Sequence, residues 1–178
     1  MKAAEPVRFA IGASVLGSLL VATTSKGVCA VGLADEEDRL IEELRRNFPE
    51  ATPSGALPEL AAVRDHLEHL DAPLDLALDL RHGTEFQQRG WRALMEVPSG
   101  ATVSYSELAE RVAGPTAVRA VAAACGANLV AVLVPCHRAV AKNGALTGYR
   151  WGIERKRALL EREQQTTGGG VQATLPGF

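Results

Sequence analysis

The 178 residues contain no apolar run of membrane-crossing length; the stretch from Val15 to Ala22 is short and is interrupted by Gly17 and Ser18. A membrane helix is therefore not expected, nor a membrane partner. Cysteine is scarce as well. Cys29, Cys125 and Cys136 form an odd set without paired spacing, which argues against a disulfide scaffold or a zinc finger and fits a reducing cytoplasm. No Cys/His cluster offers a metal site, and no dedicated Gly-rich loop supplies the oxyanion donors that a Cys/His hydrolase needs.

Hydrophobic residues make up 47% of the chain, enough core for one sizeable domain or two small ones. The net charge of −2 hides an asymmetry. Residues 1–80 hold 7 Lys+Arg against 14 Asp+Glu, whereas residues 81–178 hold 12 against 7. A basic second half is what a polyanion-binding surface requires, and equally what an ordinary solvated face can carry.

Val7, Phe9 and Ile11 alternate as in a strand, and the apolar runs around Ser25-Lys26-Gly27 read as a hairpin. Asp35 is a candidate cap for a helix with Leu40, Ile41, Leu44 and Phe48 on its inner face, ended by Pro49. Leu60, Val63, Leu67 and Leu70 mark a second helix. Leu74, Leu76, Leu78 and Leu80 then alternate with polar residues and predict a half-buried strand. This half, residues 1–82, carries no catalytic cluster and reads as an α/β scaffold.

From Thr84 the spacing of Phe86, Trp91, Leu94 and Met95 predicts a helix. Ser104 and Glu107 then have the spacing of a capping box. The helix they start, the Gly114-Pro115 turn and a second helix from Thr116 to Cys125 make a helix-turn-helix. Its second member, rich in alanine, offers almost no base-reading side chain. Small residues such as Ala120 and Ala124 let a helix enter a narrow groove, and Arg119 alone can reach a phosphate or the base stack. The alternative is an Ala-rich helix packed close to its neighbours.

The chemistry-bearing stretch is Leu129 to Arg138. Six apolar residues predict a short buried strand, stopped by Pro135, which has no N–H to donate. Cys136 then starts a helical turn, where unpaired N–H groups favour an anion and lower the thiol pKa. His137 follows, pointing another way, so a water is needed to carry a proton between thiol and imidazole. Lys142-Asn143-Gly144 has the sequence of a tight hairpin turn. The last helix, Ile153 to Gln165, is expected to turn Arg155, Lys156, Arg157 and Arg162 outward, and residues 166–178 to form a disordered tail.

Asn128, the Pro135-Cys136-His137-Arg138 motif and the Gly144 to Tyr149 loop stand in the order of the O6-alkylguanine-DNA alkyltransferases, which this chain resembles from about Phe86 to Glu163 and more loosely back to Val7. Its overall wording is similar to the carboxyl-terminal domain of Ada-type bacterial proteins. The resemblance implies an α/β (α+β) fold: a ribonuclease H-like domain over residues 1–82, then a mainly helical domain over 83–165 with a winged-helix-like helix-turn-helix. It also implies a monomer that acts on double-stranded DNA containing O6-alkylguanine, with O4-alkylthymine a lesser substrate and no cofactor. Cys136 matches the alkyl acceptor, His137 the water-bridged base and Glu163 the carboxylate that orients it. Tyr105 matches a tyrosine that assists nucleotide rotation and hydrogen-bonds guanine N3, and Arg119 the arginine that fills the gap left by the flipped nucleotide. Asn128 matches a hinge between recognition helix and active-site strand; Tyr149 and the backbone at Arg150 match the pocket wall. Ala139 replaces the family's usual Val or Ile at a position expected to contact the base through its backbone. Arg150 and Trp151 put larger side chains by the pocket than some relatives have, so a narrower tolerance of bulky adducts is expected.

Two other readings stay open. A lesion-binding, non-catalytic relative or a helix-turn-helix regulator would lack the acceptor, and Cys136 speaks against it. A Cys/His hydrolase would turn over repeatedly on a small ester.

Overall fold

The structure, a computed structural model, describes residues 5–167. The chain divides into two compact units: the residues up to His82 together with Leu129–Ala131, and Gly83–Asn128 together with the chain from Val132 onward.

In the first unit β1 (Arg8–Ser14), β2 (Gly17–Thr24) and β3 (Gly27–Ala34) form an antiparallel meander, with Phe9 opposite Ala22 and Ile11 opposite Leu20. After α1 (Glu37–Asn47), the short β4 (Thr52–Pro53) adds in parallel to β1, giving the order β3-β2-β1-β4; α2 (Pro58–Glu68) follows. α1 packs on β2 and β3 through Leu40 and Leu44, and α2 packs on β1 and β2. Asp35 is not the α1 cap. That position falls to Glu36, whose side chain makes no cap bond, so Glu37 and Asp38 in the first turn meet the helix dipole instead.

The alternating leucines of residues 74–80 form no strand. Only Leu78 bridges Val28, through Val28 N–H to Ala77 O and Asp79 N–H to Val28 O, both 2.8 Å. The approach is close enough that a Cβ on Gly27 (φ 139°) would stand 2.2 Å from Ala77 O. Asp79, expected on a polar face, is buried, and it is satisfied there. It accepts from the Thr24 hydroxyl at 2.7 Å and from Arg81, whose guanidinium holds its carboxyl well below the usual range.

The second unit begins with α3 (Glu85–Met95), started by a capping box between Thr84 and Gln87. Then come β5 (Val103–Ser104), α4 (Tyr105–Val112), a 3-10 turn at Pro115–Ala117 and α5 (Val118–Gly126). The Ser104–Glu107 box starts α4 as its spacing predicts. α3, α4 and α5 pack on one another around Trp91, which is fully buried and donates from Nε1 to Ala124 O at 2.8 Å. Ala124 therefore lies in this core, against the expectation that it faces DNA; Ala120 is exposed. β6 (Ala139–Val140) pairs in parallel with β5, and α6 (Ile153–Thr166) closes the unit. Thr166 still belongs to α6, and Thr167 donates from Oγ1 to Glu163 O at 2.9 Å; the rest of the expected tail lies outside the described residues. Among the described residues no helix is long and apolar enough to cross a membrane.

Truncating Trp91 to Ala should remove about 3–5 kcal/mol of stability. Urea denaturation followed by far-UV circular dichroism measures this, and a midpoint unchanged from the native chain would contradict the central packing role given to Trp91.

Candidate active site

The predicted strand at Leu129–Val134 does not form. Val130 makes one bridge with Val31, with Val31 N–H donating to Leu129 O and Ala131 N–H to Val31 O, and the chain then turns. Val132 sits at φ 69°, a costly conformation for a β-branched residue. Asn128, fully buried, closes this turn by donating from Nδ2 to Val134 O at 3.0 Å. Val134 O also accepts Cys136 N–H at 2.8 Å across Pro135, whose φ −81° and ψ 61° are those of an inverse γ-turn. Proline's locked φ suits this turn, and its missing N–H costs nothing here. Residues Cys136–Arg138 then make a single 3-10 turn leading into β6.

The expectation of a lowered thiol pKa is overturned. Cys136 is buried, and burial pushes its thiol up to about 11, against the opposing effect of Asn128 Nδ2, 3.2 Å from Sγ, and the charge of Lys156. One short turn does not outweigh full desolvation. Ionising such a thiol at neutral pH costs roughly 5 kcal/mol, so a resting thiolate is scarce and the proton has to leave during reaction.

Next in the chain, His137 places Nε2 2.7 Å from Glu163 Oε1, both side chains fully buried. Burial lowers the His137 pKa despite the carboxylate, so the ring is neutral, with its proton on Nε2 and Nδ1 left as an acceptor. Nδ1 is buried and bonds no other group of the described residues. Glu163 accepts two further donors, Arg138 (Nη2 at 2.7 Å) and Gly100 N–H (3.3 Å). Burial raises the Glu163 carboxyl, but His137 and Arg138 overcome it and hold the group down at about 2. Gly100 reaches this position at φ 84°, where a Cβ would meet Thr167 Oγ1 at 2.5 Å.

A pocket of about 460 Å³ opens beside Cys136, walled by Arg119, Cys125, Tyr105, Gly148, Tyr149 and Arg150. The β5–β6 pairing, Ser104 opposite Val140, brings Tyr105 to the site. Its hydroxyl is 3.5 Å from Thr147 O. Arg119 is exposed and makes no hydrogen bond or ion pair among the described residues, and Arg150 donates from Nε to Gly126 O at 3.1 Å. Tyr149 packs edge-on against Trp151, 5.3 Å between centroids, with its hydroxyl buried. Trp151 is buried behind Tyr149 and does not wall the pocket, contrary to expectation. Ala139 N–H is taken by Cys136 O, and its carbonyl accepts Lys156 Nζ at 2.6 Å.

The second half of the chain matches the family model described as 6-O-methylguanine DNA methyltransferase, DNA binding domain, over residues 85–165. The chain is 40% identical to the inducible methylated-DNA--protein-cysteine methyltransferase of Bacillus subtilis (strain 168), over 83% of itself and 84% of that protein. The chain belongs to this methyltransferase family. It is also 47% identical to the bifunctional transcriptional activator/DNA repair enzyme Ada of Escherichia coli (strain K12), over 89% of itself but 46% of Ada, about half that relative's length. Its fold matches the crystal structure of an OGT variant from Mycobacterium tuberculosis with a TM-score of 0.75 and 35% identity, over 97% of this chain and 96% of that one. M. tuberculosis OGT in complex with DNA matches at 0.73 and 37%, over 90% and 94%.

The structure thus brings Cys136, His137, Glu163, Asn128, Tyr105, Arg119, Tyr149 and Arg150 into one half of this methyltransferase fold. It also adds Lys156, expected outward and found fully buried. Its Nζ donates to Ala139 O, Thr147 O (3.0 Å) and Gly148 O (3.4 Å), and stands 5.8 Å over the Tyr105 ring. One ammonium therefore ties the end of the Cys136 turn to the pocket loop. Its spacing from Leu159, Leu160 and Glu163 is a single helical stripe, which was the available sequence signal.

Glu163→Gln leaves Arg138 without its buried counter-charge and should cost about 3–5 kcal/mol. The folded Glu163 pKa lies below its unfolded value, so the stabilisation is present above about pH 4.5 and is lost as pH falls towards about 2. Acid unfolding of the native chain and the variant should converge at the low end, and parallel curves would contradict this. The Cys136 rate with iodoacetamide, followed by peptide mass, should climb with pH through about 11; a plateau below pH 8 would refute the raised thiol.

Proposed function

We propose that this chain repairs double-stranded DNA by moving an alkyl group, chiefly methyl, from O6 of guanine to Sγ of its own Cys136, once and irreversibly. The observation that carries the reading is the buried Cys136 at the floor of an open pocket, followed directly in the chain by His137, which is hydrogen-bonded to Glu163 in the interior. In the step, the C–S bond forms as the C–O6 bond breaks. The thiol proton passes through a water to His137 Nδ1, and Glu163 stabilises the imidazolium. Tyr105 gives its proton to guanine N3, so the base leaves neutral, and the proton taken up by His137 returns through water to the phenolate. A thioether is a poor leaving group, hence one turnover per molecule. O4-alkylthymine is a lesser substrate, and no cofactor is required for a thiolate displacement.

Reaching O6 requires extrusion of the nucleotide, which costs a few kcal/mol. Arg119, exposed near the pocket on a face of α5 with Ala120, Ala122 and Ala123, fills the stack, and the small residues admit the helix to the minor groove. Asn128 holds the recognition helix to the acceptor turn. Tyr149, the Arg150 backbone and the second lone pair of Ala139 O contact the base, and the Arg150 side chain narrows the pocket to small adducts. We read the β1–β2–β3–α1–β4 order as ribonuclease H-like and the second unit as a winged-helix-like helix-turn-helix, acting as a monomer in the cytoplasm, where the acceptor thiol stays reduced.

Intact mass after mixing with a duplex containing one O6-methylguanine should show a single added methyl, mapped to Cys136 and absent from Cys136→Ala. Tight binding without a mass change would replace transfer with lesion binding.

A further inference from the structure

We propose that Cys125 is a second nucleophile of the acceptor pocket, which closes a Cys136 adduct that still carries a leaving group on its second carbon into an intramolecular thioether bridge. The inference rests on the alkyl-transfer reading. Val121, Ala124 and Cys125 form the buried stripe of α5, and at its end the Cys125 side chain walls the same pocket as Cys136. Cys125 is only 8% exposed, so a reagent meets it chiefly through that pocket. The third cysteine, Cys29, lies in the other unit and has no part in this.

The two thiols are ranked. Burial, with the neighbouring Cys136, pushes Cys125 up to about 12, opposed by the Lys156 charge and its own backbone amide but by no side-chain donor. Cys136 has the Asn128 amide at 3.2 Å and is the easier thiolate. Cys125 therefore does not compete for the first alkyl group and reacts only with a far stronger electrophile. An O6-(2-haloethyl)guanine generates one in place. Cys136 Sγ first takes the haloethyl group, with C–S formed and C–O6 broken. The new thioether sulfur then displaces the halide from the second carbon, giving a three-membered sulfonium. Attack by Cys125 Sγ on a ring carbon breaks one C–S bond and restores a neutral thioether, and the Cys125 proton goes to water. The products are the ethylene-bridged chain, halide ion and a hydrated proton; no oxidant or reductant is involved. The bridge disposes of an electrophile that would otherwise be opened by water or by a nearby DNA base, the latter a protein–DNA cross-link.

The test mixes the full chain with a duplex carrying freshly generated O6-(2-chloroethyl)guanine and, in parallel, with an O6-methylguanine duplex, followed by intact mass and peptide mapping. The expected result is a chain heavier by one ethylene unit less two hydrogens, with the Cys125 and Cys136 peptides joined. Cys125→Ser and Cys125→Ala should instead carry hydroxyethyl on Cys136 or be bound covalently to DNA. Hydroxyethyl-Cys136 with a free Cys125 in the native chain, or DNA cross-linking equal to that of Cys125→Ala, would overturn the proposal. The native-chain peptide map decides even if neither variant folds. If the methyl duplex leaves Cys136 unmodified, the alkyl-transfer reading itself has failed, and the bridge with it.

Discussion

The site depends on one buried carboxylate. Desolvating Glu163 costs several kcal/mol, and that cost is offset because its two oxygens collect His137, Arg138 and the Gly100 amide. The same contacts set the chemistry of the histidine. With Nε2–H committed to Glu163, the basic lone pair is left on Nδ1. Arg138 also donates to Val97 O, so the α6 carboxylate, the acceptor turn and the loop after α3 share one hydrogen-bond network.

The path of the main chain into Cys136 is the second constraint. Asn128 Nδ2 and Cys136 N–H converge on Val134 O, and the inverse γ-turn at Pro135 reverses the chain in the fewest residues that can do so. The thiol is delivered to the pocket floor with its sulfur against the Asn128 amide. Strain at Val132 is tolerated because the residues on both sides are held.

At rest the pocket holds little preformed thiolate. Burial keeps Cys136 protonated and His137 neutral, while the Lys156 ammonium, buried among three carbonyls, is the nearby cation that favours a developing thiolate. In the proposed single-turnover transfer this arrangement protects Cys136, since stray electrophiles meet a weak nucleophile. Lys156 thus serves both the loop geometry and the charge balance.

Local patterns were read correctly where one segment carries the whole signal. The Ser104–Glu107 box and the apolar stripe of α1 are such cases, because capping and helical period involve only near neighbours; α3 forms over its predicted span, but Met95, expected on the core face with Trp91 and Leu94, is exposed. Leucine alternation at residues 74–80 and valine content at 129–134 promised strands, but a strand needs a partner along its length, and each found a single bridge. The thiol pKa, the inward turn of Lys156 and the core position of Ala124 were likewise beyond local reading, although the α6 stripe held a hint of Lys156. Sequence alone determined which residue types could do the chemistry and their order. Tertiary structure decided which were desolvated and which atoms face the acceptor, because burial is set by elements far apart in the chain.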